Sequence, residues 1–375
     1  MTGFISFSRT ERSGRCRGPG LELRYDHPNI ASSVQYDIEE KRCFKMYETF
    51  RDSSAQEKWL EETFKVVREG VSGTQWCNND PPVPDLPTLF LIKAPLSTTG
   101  FDDGKFHADL VVRAPHDIID GTGTLILVNS LFAHAARAYD EHDPYEPLEI
   151  SASSFNAAPR ADVEIATFPF KEGREGPGQH QRAAITVSIT HASHTAIALV
   201  VRDHQEGREE ERVVRYINYS LINERGHCVE PYSTSVHPAS VYHSVSGKGI
   251  VVGLAVPAAC AESEQDTEFQ REEYISTATH VRFFYHDIRT DKDHIFLTPP
   301  VPRRNESPSV LISSMGVLDN VIAHRHGLFS VEDPWVTGEE LGTGPGTAYN
   351  AAWHDEEGAK GFLKACQGLV GRGLG

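Results

Sequence analysis

His116 and Asp120 bracket the stretch of this chain whose residue types and spacing suggest proton chemistry, His116-Asp117-Ile118-Ile119-Asp120-Gly121. Histidine's ordinary pKa of about 6.5 leaves the side chain largely neutral near pH 7 and able to accept a proton. A carboxylate four residues further on is either the second member of a catalytic pair or a support for the loop. General-base catalysis needs the base held by rigid elements. The neighbouring sequence offers two. The run Phe106 to Arg113 alternates and predicts a strand. After Thr122-Gly123-Thr124, the residues Leu125, Val128, Leu131, Phe132, Ala135, Ala136 and Tyr139 recur with helical period. The reading is strand, sharp loop, helix. The HxxxDG pattern alone is weak, since an Asp-Gly turn with a histidine nearby would give it; its place between a strand and a helix strengthens it.

Along the chain, residues 1–20 carry no periodicity and are expected to be a disordered tail. A first lobe is expected over 21–150, a linker region over 151–182 and a second lobe over 183–375. In the first lobe, Arg42 to Tyr47 and Thr88 to Ile92 are expected strands. Ser54 with Glu57 three residues later reads as the capping box of a helix burying Trp59, Leu60, Thr63 and Phe64. In the second lobe, Ile185 to Leu199 is strand-like in its first half and helix-like in its second, and a helix is favoured. Strands are expected at Val213–Leu221, Gly249–Leu254, Ser309–Ser314 and Gly327–Val331, and helices at Glu262–Ile288 and Gly358–Leu369. Irregular alternation of strands and helices over two halves predicts an α/β fold with mixed sheets.

The formal net charge of −17 over 375 residues argues against a general nucleic-acid binder, which needs a basic surface. Six cysteines without a CxxC pair read as reduced thiols of a cytoplasmic protein. There is no apolar signal-like run in the first 20 residues, and Ile250 to Cys260 is too short to span a bilayer.

HDIIDG in this setting resembles the active-site motif of the CoA-dependent acyltransferases: chloramphenicol acetyltransferase, the plant BAHD enzymes and the condensation domains of peptide synthetases. The closer resemblance among these is to the fungal trichothecene 15-O-acetyltransferase-like group. The segments that carry this likeness are Leu23–Ala31, Trp59–Phe64, Arg215–Arg225, Val241–Gly247, Ile312–Gly316 and Asp333–Leu341. The resemblance implies a two-lobed chloramphenicol acetyltransferase-like fold, lacking its first strand and helix because nothing before Leu21 reads as either. It implies an O-acyltransferase with acetyl-CoA as co-substrate, no permanently bound cofactor, and a small-molecule alcohol such as a trichothecene-like sesquiterpenoid as acceptor, working as a monomer without membrane or nucleic-acid partners. His116 would be the general base, bordering a tunnel. Asp120 would turn away from the substrate and pair with Arg225, with Gly121 permitting the tight turn. Ser313 or Ser314 would donate to the oxyanion. Asp333, Trp335 and Gly338 would stand in for the family's second, structural motif, of which there is no literal copy. The segment Gly342 to Tyr349 is expected to be abbreviated. A shortened chain supports a competing expectation, a catalytically impaired relative that binds without turning over.

Other signals are weaker. The pairs His191/His194 and His324/His326 lack further ligands at metal spacing. Ser244 to Gly249 is only a fragment of a phosphate-binding loop, and no GxSxG elbow exists. Arg303-Arg304 could meet CoA phosphates, though a solvated loop is the favoured reading.

Overall fold

The structure is a computed structural model. It describes residues 2–10, 17–79, 81–93, 105–139, 189–203, 212–225, 239–256, 267–290, 310, 312, 318–337 and 355–374. In chain order the elements are β1 (Thr2–Thr10), α1 (Arg17–Asp26), β2 (Ser32–Asp37), β3 (Arg42–Tyr47), α2 (Ser53–Thr63), β4 (Phe64–Val67), α3 (Gly73–Asn78), β5 (Thr88–Lys93), β6 (Lys105–Arg113) and α4 (Gly121–Ala138). They continue with α5 (Ile189–Asp203), β7 (Arg212–Asn218), β8 (Leu221–Asn223), β9 (His243–Val245), β10 (Ile250–Val256), α6 (Thr267–Thr290), β11 (Arg325–His326), β12 (Phe329–Thr337) and α7 (Glu356–Leu374).

Two compact units form, and they are not the contiguous halves expected from the sequence. The first unit is Met1–Lys171 with Glu224–Tyr242 and Met315–Glu339; the second is Glu172–Asn223, His243–Ser314 and Glu340–Gly375. Arg225 therefore belongs to the same unit as His116 and Asp120.

The first unit is built on a six-stranded sheet in the order β11-β12-β1-β6-β5-β4. Only the β4–β5 pair is parallel; the rest are antiparallel, so the sheet is mixed. This overturns the expected tail and the expected loss of the first strand and helix. Thr2–Thr10 pair along their whole length with β6 on one side and, from Thr2 to Arg9 with one bulge, with β12 on the other, and α1 follows. Pairing on both sides satisfies the backbone of a strand with little help from composition. The apolar Phe4, Ile5 and Phe7 were masked as a signal by the arginines, serines and glycines around them. The expected abbreviation at Gly342–Tyr349 lies outside the described residues.

β12 runs further than expected, through Asp333 to Thr337, and contains Pro334. Phe4 pairs with Trp335 and Ser6 with Glu332, so Ile5 faces both Asp333 and Pro334. A bulge of two residues against one is where a strand tolerates proline, which has no N–H for the ladder. The β11–β12 hairpin turns through Gly327 at φ 54°, the left-handed conformation that a two-residue turn with glycine first requires.

The core of this unit joins α4 to the sheet: Leu127, Val128 and Phe132 with Leu110, Val112, Phe329 and Val331. The predicted stripe on α4 is correct in phase, with Leu131, Ala135, Ala136 and Tyr139 packed at its edge. The cap of α2 is Asp52, which accepts from the Ala55 N–H at 2.9 Å; the expected Ser54 lies inside the helix. An aspartate there satisfies an otherwise orphaned N–H as well as a serine does.

Helix α1 docks on α4 partly through His134 Nε2 and Asp26 Oδ2, 2.8 Å apart. The hydrogen bond from His134 holds the Asp26 carboxyl below its usual range, against the opposing effect of burial. A carboxyl with a lowered folded-state pKa stabilises the fold above its unfolded-state pKa of about 3.9, and that contribution is lost as the pH falls below it. Between pH 5 and about 3 the wild type is expected to lose more stability than Asp26→Asn, measured by urea unfolding at each pH. Equal losses would show that this contact is not pH-linked.

In the second unit, β7 pairs antiparallel with β10, and β8 with β9. β10 alternates strictly, burying Ile250, Val252, Leu254 and Val256. Against it lie Ala192, Ala198 and Leu199 of α5 and Tyr274, Ala278, Val281 and Phe284 of α6. The ambiguous run before Leu199 is helical from Ile189, and the helix favoured there is correct over the described part. The helices expected at Glu262–Ile288 and Gly358–Leu369 are α6, over its described residues, and α7, which runs longer at both ends. The strand expected at Ser309–Ser314 lies outside the described residues save for Val310 and Ile312.

Candidate active site

The loop between β6 and α4 sorts its side chains by type. His116 and Asp117 are exposed, whereas Ile118 and Ile119 are 1% and 0% exposed in the core. The Ile118 and Ile119 N–H groups donate to Pro115 O at 3.2 and 3.4 Å, closing a turn. Two buried isoleucines thus anchor a turn whose leading histidine faces outward. That is the placement a base needs if it is to meet an incoming hydroxyl.

Asp120 is buried and does something else. It is the N-cap of α4, accepting from the Gly123 N–H at 2.6 Å. Arg225 Nη2 donates to its Oδ1 at 2.8 Å and Arg225 Nη1 to its Oδ2 at 3.0 Å, a bidentate pair. The Tyr242 N–H donates to Oδ2 at 2.9 Å. A carboxylate so fully engaged by donors, at the positive end of a helix, is a fixture. Arg225 Nη2 also donates to Ser240 O at 2.8 Å, and the Asp120 N–H reaches the same oxygen at 3.4 Å. The loop is therefore tied to 239–242, a segment far away in sequence.

Gly121 is the first residue of α4, and it is not among the described glycines with positive φ. The tight-turn role expected for it is not what the backbone requires. The glycine that matters is Gly123: a Cβ there would stand 2.7 Å from Ser240 O and 2.9 Å from Ile119 Cγ1. Gly123→Ala should cost about 1–3 kcal/mol in urea unfolding, because a backbone carbonyl on one side cannot move aside cheaply. A variant as stable as the wild type would mean that the 239–242 segment yields freely.

Lys45, on β3, was not singled out by sequence reasoning. Its Nζ donates to Ser240 Oγ at 3.1 Å and to Ile118 O at 3.4 Å. Burial pushes its pKa down, opposed by Asp117 and Asp120. Also missed were His27 and Asn29, which meet the backbone of Ala239. The segments Leu23–Ala31 and Val241–Gly247 already carried the resemblance, and that was the available signal; their contacts run largely through main-chain atoms.

Asp333 and Trp335 lie on β12, while Ser313, Ser314, Gly338 and Arg303-Arg304 lie outside the described residues. No group of three or more His, Cys, Asp or Glu among the described residues could hold a metal ion. His194 has both ring nitrogens engaged, by Tyr216 Oη at 2.8 Å and Tyr285 Oη at 2.7 Å, and burial pushes its pKa down to about 3. Burial likewise pushes the Cys77 and Cys366 thiols up to about 11, so neither is a ready nucleophile. A cavity of about 190 Å³ in the first unit is walled by Leu23, Trp59, Leu91, Leu110, Leu127 and Phe132, among others. His116 does not line it, and its walls are mostly apolar, with Glu61, Thr63 and Tyr139 the exceptions.

No protein-family model matches the chain. Over 124 residues it is 28% identical to acetyltransferase pigO of Monascus ruber, a match spanning 33% of this chain and 22% of that relative's length. The trichothecene 15-O-acetyltransferase TRI3 of Fusarium sporotrichioides superposes with a TM-score of 0.66 at 15% identity, covering 98% of this chain and 90% of that one. The chain has the chloramphenicol acetyltransferase-like fold. The first condensation domain of the calcium-dependent antibiotic synthetase superposes with a TM-score of 0.53 at 11% identity, covering 100% of this chain and 91% of that one. In this fold as built here, the HxxxDG loop leaves a β-strand of the six-stranded sheet and caps a helix.

No helix among the described residues is long and apolar enough to cross a membrane.

Proposed function

We propose that the chain is an acyl-CoA-dependent O-acyltransferase that moves an acetyl group from acetyl-CoA to a hydroxyl of a secondary metabolite such as a trichothecene-like sesquiterpenoid. The observation that carries this reading is an exposed His116 on a turn that is locked from behind by the buried Asp120–Arg225 pair. That division of labour leaves one base facing outward and one carboxylate fixing it.

In the proposed reaction His116 takes the proton of the acceptor hydroxyl as its oxygen attacks the thioester carbonyl carbon. The tetrahedral oxyanion then collapses, breaking the carbon–sulfur bond. The imidazolium returns the proton to the departing thiolate, so the products are the ester and CoA thiol. Base catalysis of this kind contributes roughly 10²–10⁴ in rate. Ser313 or Ser314 is the proposed oxyanion donor, and Asp333, Trp335 and Gly338 have the proposed structural role of the second motif. The enzyme is proposed to work as a cytoplasmic monomer with acetyl-CoA as a co-substrate.

The test is release of free thiol from acetyl-CoA, followed with and without a panel of hydroxylated sesquiterpenoids. Thiol release that rises with acceptor concentration, together with the mass of the acetyl ester, supports the reading. Release no faster than in buffer across short acyl-CoAs and all acceptors would overturn it.

A further inference from the structure

Behind the Asp120–Arg225 pair stands a second set of contacts. All of them converge on the main chain at Ala239 and Ser240. His27, 2% exposed, precedes the 3₁₀ turn Pro28–Ala31. Its Nδ1 accepts from the Ala239 N–H at 2.8 Å, and its Nε2 lies 3.0 Å from Ser130 Oγ on α4. Asn29 Nδ2 donates to Ala239 O at 3.2 Å. Both polar groups of one fully buried residue are thus held by two side chains of a single turn. Because Nδ1 is an acceptor here, the proton of the neutral ring resides on Nε2, pointing to Ser130.

The next residue is the hub. Ser240 O receives Arg225 Nη2 and lies over the Asp120 N–H, and Ser240 Oγ receives Lys45 Nζ. Two residues on, the Tyr242 N–H donates to Asp120 Oδ2. A shift of Ala239 therefore moves Ser240 O and the Tyr242 N–H together, and with them both ends of the carboxylate that sets the turn bearing His116. The spacing at Gly123, which leaves no room for a Cβ beside Ser240 O, shows how closely this segment is seated.

We propose that His27 and Asn29 are positioning residues of the acyl-transfer site: by gripping the N–H and C=O of Ala239 they fix Ser240 and Tyr242, and through them Asp120 and the His116 turn. This rests on the acyltransferase reading for its kinetic consequence and on the geometry alone for its structural one. Neither side chain touches a reacting group. Misplacement of a catalytic group by about 1 Å can lower a rate by about 10²-fold, so the effect on turnover is large even though the residues act at a distance.

The experiment compares His27→Leu, which removes the acceptor; His27→Asn, whose Oδ1 replaces Nδ1 as an acceptor; and Asn29→Asp, which sets a carboxylate against the Ala239 carbonyl. Asn29 is only partly buried, so Asn29→Asp is the variant whose folding is least at risk. Two readouts are taken on the full chain: kcat and KM for acetyl-CoA, and the amide NMR positions of Gly123 and Tyr242, both of which donate to Asp120. His27→Leu and Asn29→Asp are expected to lower kcat by about 10-fold or more with KM within about twofold, and to shift both amides. His27→Asn is expected to restore kcat to within about threefold of wild type. Folded Asn29→Asp with wild-type kcat and unmoved amides would overturn the proposal. If the wild type transfers no acyl group, the functional reading fails, and the amide positions still decide the clamp.

Discussion

His116→Ala is expected to lower acetyl transfer about 10²–10⁴-fold while changing folding stability by no more than about 0.5 kcal/mol. The two halves of this expectation come from the same observation. His116 is exposed on its turn, whereas the turn is anchored by Ile118 and Ile119 in the core and by Asp120 at the helix cap. Removing the imidazole removes the base and leaves the anchors. KM for acetyl-CoA should stay near the wild-type value, because the lost interaction belongs to the transition state. Equal thiol release by wild type and His116→Ala would remove His116 from the chemistry.

Breaking the buried pair gives the opposite pattern. Asp120→Ala leaves the Arg225 guanidinium, 7% exposed, without its bidentate partner, and should cost about 3–5 kcal/mol in urea unfolding. The same change removes the cap of α4 and the acceptor for the Tyr242 N–H, each adding to the loss. Asp120→Asn keeps a capping oxygen and isolates the charge. The double variant Asp120→Asn/Arg225→Met should lose less than the two single changes summed, since it leaves no buried charge unpaired. Activity falls in these variants through displacement of the turn. A stability loss below about 1 kcal/mol for Asp120→Ala would refute the pair as the anchor of the loop.

What the sequence made legible was the local part of this site. The alternation before His116 and the helical stripe after it specify strand and helix, and each needs only neighbours in the chain. The Asp120–Arg225 contact spans 105 residues, and it was anticipated from resemblance rather than pattern. The rest of the anchor was not legible. Asp120 meets the main-chain N–H groups of Gly123 and Tyr242, and Arg225 and the Asp120 N–H share a main-chain oxygen of Ser240. Every residue carries such groups, so side-chain types do not mark them. β1 was missed for a related reason. A strand bonded on both sides is specified by its two partners, and those partners lie at Lys105–Arg113 and Phe329–Thr337.

That last arrangement has a consequence for how the chain is made. On a ribosome, β1 and β6 are both available once Arg113 has emerged, but the strand that covers the other side of β1 ends at Thr337. At roughly 5–20 residues per second the intervening segment of about 200 residues takes on the order of 10–40 seconds to synthesise. For that interval one flank of Thr2–Thr10 carries a row of unsatisfied backbone groups. Such an edge invites pairing with another nascent chain. The central strand of the sheet of the first unit is thus also a point of vulnerability during translation, until β12 arrives to cover it.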